Sequence, residues 1–146
     1  MKIDVLSIGS FPAATNAELA KRFAITHHFN RPAPDALGAE LKARIRAIAT
    51  EANRGADRAL IEALPRLEVI SLFGVGTDSV DLAAARERNI PVTNTPGILT
   101  DEVADLAIGL MLASARQIVF ADRYVRDGSW GSKGPIPLGR SVGGKT

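Results

Sequence analysis

Leu67-Glu68-Val69-Ile70-Ser71-Leu72-Phe73-Gly74-Val75-Gly76-Thr77-Asp78 decides the fold. A short run rich in aliphatic and aromatic residues ends in a glycine turn, and the stretch from Val80 to Arg88 has helical spacing, so the segment reads as strand, tight turn and helix. Units of the same kind lie on either side. Upstream, Ile3–Ile8 reads as a first strand, broken by Gly9-Ser10-Phe11-Pro12. A short helix is expected over Asn16–Phe23 with Asn16 as its cap, followed by a second strand over Ile25–Phe29. A helix near Asp35–Lys42 leads into a third strand, Ile45–Thr50, and Asp57–Leu64 forms a further helix that Pro65 stops. Downstream, Ile90–Asn94 makes a short fifth strand, where Pro91 is tolerable near the start or on an edge. This regular alternation predicts an α/β fold with a five-stranded, mainly parallel sheet.

The pattern changes after Thr95-Pro96-Gly97. Thr100 is placed to cap a long helix opened by Asp101 and Glu102, whose charges favour the positive end of the helix dipole. From Val103 to Ala115 this helix is apolar nearly all round, yet it is shorter than the roughly 18–20 residues that span a bilayer. It is therefore expected to be buried between layers or between subunits, and to run on to about Arg126. Residues Asp127 to Thr146, rich in Gly, Pro and Ser, read as a connector without an element of its own.

The 146 residues, 46% hydrophobic and 23% charged, exclude disordered and collagen-like classes, because this much apolar surface offsets chain entropy. The absence of cysteine excludes disulfides, thiolate metal sites and a cysteine nucleophile, and it agrees with a cytoplasmic location. A formal charge of +2, with basic residues scattered among acids, offers no stripe for a phosphate backbone. Nucleic acid and membrane are not expected partners. The first residues carry Asp4 within the apolar run and read as a strand rather than a signal peptide.

Gly139-Arg140-Ser141-Val142-Gly143-Gly144-Lys145-Thr146 matches G-x-x-x-x-G-K-[ST]. A phosphate loop needs a strand before it and a helix after it; neither context is present, so the match reads as accidental. Gly74-Val75-Gly76 has the right context but not the dinucleotide pattern. Ser79 stands where the third glycine would be, and Asn94 ends the next strand where an acid would grip a ribose. Its glycines instead leave backbone N–H groups at the carboxyl end of a strand, a geometry suited to a small carboxylate or to a turn without a ligand. His27 and His28, adjacent on a strand, point to opposite faces and form no metal pair. Asp101, Glu102 and Asp105 read as dipole or interface residues, not as a metal site.

Three blocks carry a resemblance: Phe73-Gly74-Val75-Gly76-Thr77-Asp78-Ser79-Val80-Asp81, Pro91-Val92-Thr93-Asn94-Thr95-Pro96-Gly97 and Leu99-Thr100-Asp101-Glu102-Val103-Ala104-Asp105-Leu106-Ala107. In this order they resemble the D-isomer-specific 2-hydroxyacid dehydrogenases. Tyr124-Val125-Arg126-Asp127-Gly128-Ser129-Trp130 and Pro137-Leu138-Gly139 extend the likeness towards glyoxylate/hydroxypyruvate and hydroxyphenylpyruvate reductases.

The resemblance implies a flavodoxin-like substrate lobe over residues 1–99. Residues 100–146 would be a linking helix and dimer arm leading to a Rossmann cofactor domain outside this chain, with homodimers in the full-length protein. It also implies reduction of a small 2-oxo acid to its D-2-hydroxy acid with NAD or NADP, both the cofactor fingerprint and the catalytic Arg, Glu and His lying beyond Thr146. Val75 and Gly76 match positions whose amides hold the substrate carboxylate, with Gly74 permitting close approach, and Val75 also lies near the cofactor in some relatives. Ala52 and Asn53, in the loop after the third strand, are further candidates for substrate contact. No catalytic residue and no metal ligand is assigned within the chain. The chain alone is then expected to be inactive and its apolar helix sticky. The alternative reading is a stand-alone flavodoxin-like module that binds a carboxylate or a partner without catalysis.

Overall fold

The computed structural model describes residues 2–144. The chain divides into two compact units, Met1–Gly97 and Ile98–Thr146.

The first unit carries the βα alternation. Its elements are β1 (Asp4–Ile8), α1 (Ala13–Arg22), β2 (Ala24–His28), a single 3-10 turn (Pro34–Ala36), α2 (Ala39–Arg44), β3 (Ile45–Glu51), α3 (Arg58–Ala63), β4 (Val69–Phe73), α4 (Leu82–Glu87) and β5 (Val92–Thr93). The five strands form one sheet in the order β2-β1-β3-β4-β5, and every pairing is parallel. This is the flavodoxin-like order, in which the chain reverses direction across the sheet between β1 and β3 and leaves a crevice at the carboxyl ends of those strands.

Alternation along the strands decides which side chains are buried. Leu6, Ile8, Ile48, Ile70 and Leu72 point to one face and are sealed by Leu60, Ile61 and Leu64 around α3 and by Ala84 and Ala85 of α4. On the other face Val5, Ala47, Ala49 and Val69 line a groove with Leu19 and Phe23 from the α1 region. Helices α3 and α4 are tied at the surface by Arg58, whose guanidinium donates two hydrogen bonds to the Glu87 carboxylate, at 2.6 and 3.0 Å. Those bonds hold the Glu87 carboxyl below its ordinary value.

Several boundaries differ from expectation. Helix α1 begins at Ala13, not Asn16; Pro12 sits at its cap, where its fixed φ suits entry into a helix, and the Asn16 amide donates back to the Phe11 carbonyl at 3.0 Å. The single helix expected over Asp35–Lys42 is split by Gly38 into the 3-10 turn and α2. His27 is exposed and His28 half-buried on β2, with His27 Nδ1 3.4 Å from the Ser7 hydroxyl.

The second unit contains α5 (Thr100–Ala115), α6 (Ile118–Arg126) and α7 (Ser129–Lys133). Thr100 is the first helical residue of α5 rather than its cap, because the Leu99 carbonyl already accepts from the Val103 N–H at 3.0 Å. The helix expected to continue to Arg126 breaks at Gln117, which adopts a left-handed conformation with φ 54°, and α5 and α6 meet at 58°. Among the described residues no single helix is long and apolar enough to cross a membrane.

The expected connector also contains an element, α7. Gly128 is its N-cap, the Asp127 carboxylate just before it accepts from the Ser129 N–H at 2.8 Å, and the Tyr124 hydroxyl donates to the Gly134 carbonyl at its far end. Gly139, the first glycine of the phosphate-loop match, has a different task. The Arg140 N–H donates to the Ala115 carbonyl at 2.7 Å, and a side chain at 139 would start 2.8 Å from that backbone. Lys145 and Thr146, which end the match, lie outside the described residues.

Burial of α5 between layers does not occur in this chain: no residue of α5 is buried, and Val103, Leu106 and Leu110 are each more than half exposed. A contiguous apolar surface of this kind is expected to bind a hydrophobic dye or to drive self-association of the purified chain. A monomer in sedimentation that leaves the dye dark would contradict this.

Candidate carboxylate site

The site is built where β3, β4 and β5 end. Parallel pairing brings the loops that follow them to one edge of the sheet, which is why residues 22 apart in sequence become neighbours. The β4 strand delivers Gly74 with φ +142°, and a side chain there would start 2.6 Å from Ala52 Cβ, so the loops after β3 and β4 pack backbone to side chain. The Ala52 N–H donates to the Phe73 carbonyl at 3.2 Å, and the Ser79 hydroxyl donates to the Ala52 carbonyl at 2.5 Å. Ser79, standing at the place of a third dinucleotide glycine, is therefore a clasp between the two loops.

The loop after β5 holds the turn from the other side. The Gly74 N–H donates to Thr95 Oγ1 at 3.2 Å, the Thr95 N–H returns a bond to the Gly74 carbonyl at 2.9 Å, and the Asn94 side-chain amide donates to the Val75 carbonyl at 2.8 Å. With Gly74 and the Val75 carbonyl engaged, the N–H groups of Val75 and Gly76 have no acceptor among the described residues. Both residues are exposed. Two consecutive exposed amides at the end of a parallel strand can donate hydrogen bonds to a small anion. The Asp78 carboxylate lies on the same turn, 3.4 Å from where a Gly76 side chain would start.

Of the sequence candidates, the structure gathers Gly74, Val75, Gly76 and Ala52 in one pair of loops and places Asn53 at the exposed tip of the loop after β3. That loop is a tight turn in which the Arg54 and Gly55 N–H groups both donate to the Glu51 carbonyl, at 3.0 and 3.1 Å. Thr95, Asn94 and Ser79 join the site without being among the sequence candidates. Their positions follow from parallel topology, since Asn94 and Thr95 leave β5 as Gly74 leaves β4.

A dinucleotide does not fit the described residues. The third glycine is absent, and Asn94, at the ribose-gripping position, is already committed to the Val75 carbonyl. Val75 is the one position that the resemblance sets near a cofactor, and the residue is 48% exposed. No group of three or more His, Asp or Glu residues is gathered for a metal ion among the described residues.

Residues 5–135 match the family model described as D-isomer specific 2-hydroxyacid dehydrogenase, catalytic domain. The chain is 47% identical over 128 residues to a hydroxyphenylpyruvate reductase of Plectranthus scutellarioides, covering 88% of this chain and 41% of that protein. It is 42% identical over 144 residues to a glyoxylate/hydroxypyruvate reductase of Arabidopsis thaliana, covering 99% of this chain and 46% of that protein. Among solved structures, the NADPH-dependent glyoxylate/hydroxypyruvate reductase of Sinorhizobium meliloti in complex with NADP and malonate superposes with a TM-score of 0.87 at 34% identity, covering 100% of this chain and 45% of that one. The chain thus spans less than half the length of these relatives. Its parallel sheet, the glycine turn at the carboxyl end of β4 and the extent of the match together make it a member of the D-isomer-specific 2-hydroxyacid dehydrogenase family.

Proposed function

We propose that this chain supplies the substrate-binding part of an NAD(P)-dependent reductase that converts a small 2-oxo acid of the glyoxylate or hydroxypyruvate kind to the D-2-hydroxy acid. The observation that carries the proposal is the pair of unpartnered amides, Val75 and Gly76, fixed at the mouth of the sheet by Gly74, Thr95 and Asn94. They bind the substrate carboxylate, and Ala52 and Asn53 meet the rest of the molecule. The cofactor, when bound, supplies the hydride to the keto carbon. The groups that bind it and polarise the carbonyl belong to the part of the relatives that this chain does not span. Residues 1–99 act as the substrate lobe; residues 100–146 act as the link to that part and as a dimer arm, a reading supported by the exposed apolar surface of α5.

Titration of the ¹⁵N-labelled chain with hydroxypyruvate tests the carboxylate site. The amides of Val75 and Gly76 are expected to shift, with a dissociation constant on the order of millimolar, because two charge-assisted hydrogen bonds at an open site must offset the loss of ligand freedom. The same chain with NADH or NADPH should show no turnover. Shifts confined to other loops would refute the site, and turnover by the 146-residue chain alone would refute the division of labour.

A further inference from the structure

The loop after β3 is fastened on its inner side by Ala52, against the turn after β4, and its tip residue Asn53 makes no side-chain hydrogen bond among the described residues. Its outer side is fastened by two side chains, Arg54 and Arg31. The Arg54 guanidinium lies 4.8 Å above the centre of the Phe29 ring and donates to Asn30 Oδ1 at 2.8 Å, reaching the loop that follows β2. Arg31, from that same loop, donates to the Arg54 carbonyl at 3.2 Å and pairs with the Asp57 carboxylate at 3.2 Å, at the cap of α3. Glu51, whose carboxylate occupies the place a Gly9 side chain would take, is 3.8 Å from Arg54 Nε.

These contacts are not arranged for stability alone. Arg54 Nε is buried and has no hydrogen-bond partner among the described residues, which is a cost in the folded chain. What Arg54 does achieve is geometric: a planar cation, stacked on one side and hydrogen-bonded at its end, holds the backbone of the turn against the loop after β2, while Ala52 holds it against the loop after β4. A lysine could not reproduce this.

We infer that Arg54 is a positioning residue that sets where Ala52 and Asn53 meet the substrate beyond its keto carbon, and thereby selects among 2-oxo acids by the group attached there. The inference rests on the proposed function. Glyoxylate, with only hydrogen at that place, offers the loop nothing to grip; hydroxypyruvate offers a hydroxymethyl group.

Two variants test it, Arg54→Ala and Phe29→Ala, the second at a residue exposed enough to leave the fold intact. In the full-length reductase, either change is expected to raise KM for hydroxypyruvate by about threefold or more relative to any change in KM for glyoxylate, the scale of a lost stacking and hydrogen-bond tie. The double variant should add little to Arg54→Ala, since Phe29 acts on the loop through its stack with Arg54. Equal changes for the two substrates, or none, would overturn the inference. Hydrogen exchange on the 146-residue chain gives a readout independent of turnover: the amides of residues 53–55 should exchange faster in both variants, and unchanged rates would overturn the positioning role. Failure of the unsubstituted full-length protein to reduce either acid would instead count against the proposed function, while exchange still decides the role of Arg54.

Discussion

Gly55→Ala is expected to lower the stability of the first unit by roughly 3–5 kcal/mol, the sum of a left-handed backbone that a side chain disfavours and an overpacked contact with no room to relax. Gly55 is buried with φ +62°, and the space where its side chain would start is taken by the Ser79 carbonyl. The obstacle is backbone, so no rotamer change relieves it. Displacement of Ser79 would also break the Ala56 N–H bond to that carbonyl, at 3.2 Å, and the single parallel bridge between Ala56 and Val80. The Thr50 hydroxyl, fully buried, would lose its acceptor on Gly55. Against a total stability of about 5–15 kcal/mol for a domain, a change of this size shifts the urea midpoint far enough to read by circular dichroism. A midpoint equal to that of the unsubstituted chain would mean that the β3 and β4 loops are not packed as described.

The same contacts explain which parts of the molecule the sequence makes legible. Leu67–Phe73 followed by Gly74 is visible because a strand and its turn are local: the apolar run ends at the residue where the backbone must open. The all-parallel sheet follows from the spacing of such units. Boundaries set by competing local signals are harder. Asn16 is a good cap by composition, but Pro12 reaches the helix entrance first. Gln117 breaks α5 from α6 in a left-handed conformation that nothing in its side chain advertises, and α7 hides in Ser129-Trp130-Gly131-Ser132-Lys133, whose helix propensity is low and whose N-cap, Gly128, offers no side chain.

The site divides in the same way. Gly74, Val75 and Gly76 are legible as a strand-end turn because the glycines mark it. Asn94 is visible as a strand-end residue, yet its task is not; read against a dinucleotide pattern it is a missing acid, whereas in the fold its amide steadies Val75. Arg54 is one of many scattered arginines until tertiary structure sets it over Phe29. Side chains that act across loops leave no periodic signal, so the residues that form the turn are readable and those that hold it are not.

That distinction leads to a second large effect. Gly74→Ala is expected to cost roughly 2–4 kcal/mol and to abolish the carboxylate response of Val75 and Gly76, because the new methyl must separate the β4 loop from Ala52 while the backbone leaves φ +142°. Stability and binding fall together, so this variant alone does not show which of them the glycine serves. Asn94→Ala separates them. Asn94 is exposed, and losing its bond to the Val75 carbonyl should cost no more than about 1 kcal/mol. It nevertheless releases one of the ties that hold the amide pair, so carboxylate binding should weaken several-fold by the same amide titration while the urea midpoint stays near that of the unsubstituted chain. If Asn94→Ala binds as tightly as the unsubstituted chain, the turn is rigid through Gly74 and Thr95 alone. If Gly74→Ala also retains the response, the two amides are not where the carboxylate sits, and the parallel sheet carries its ligand at another of its strand ends.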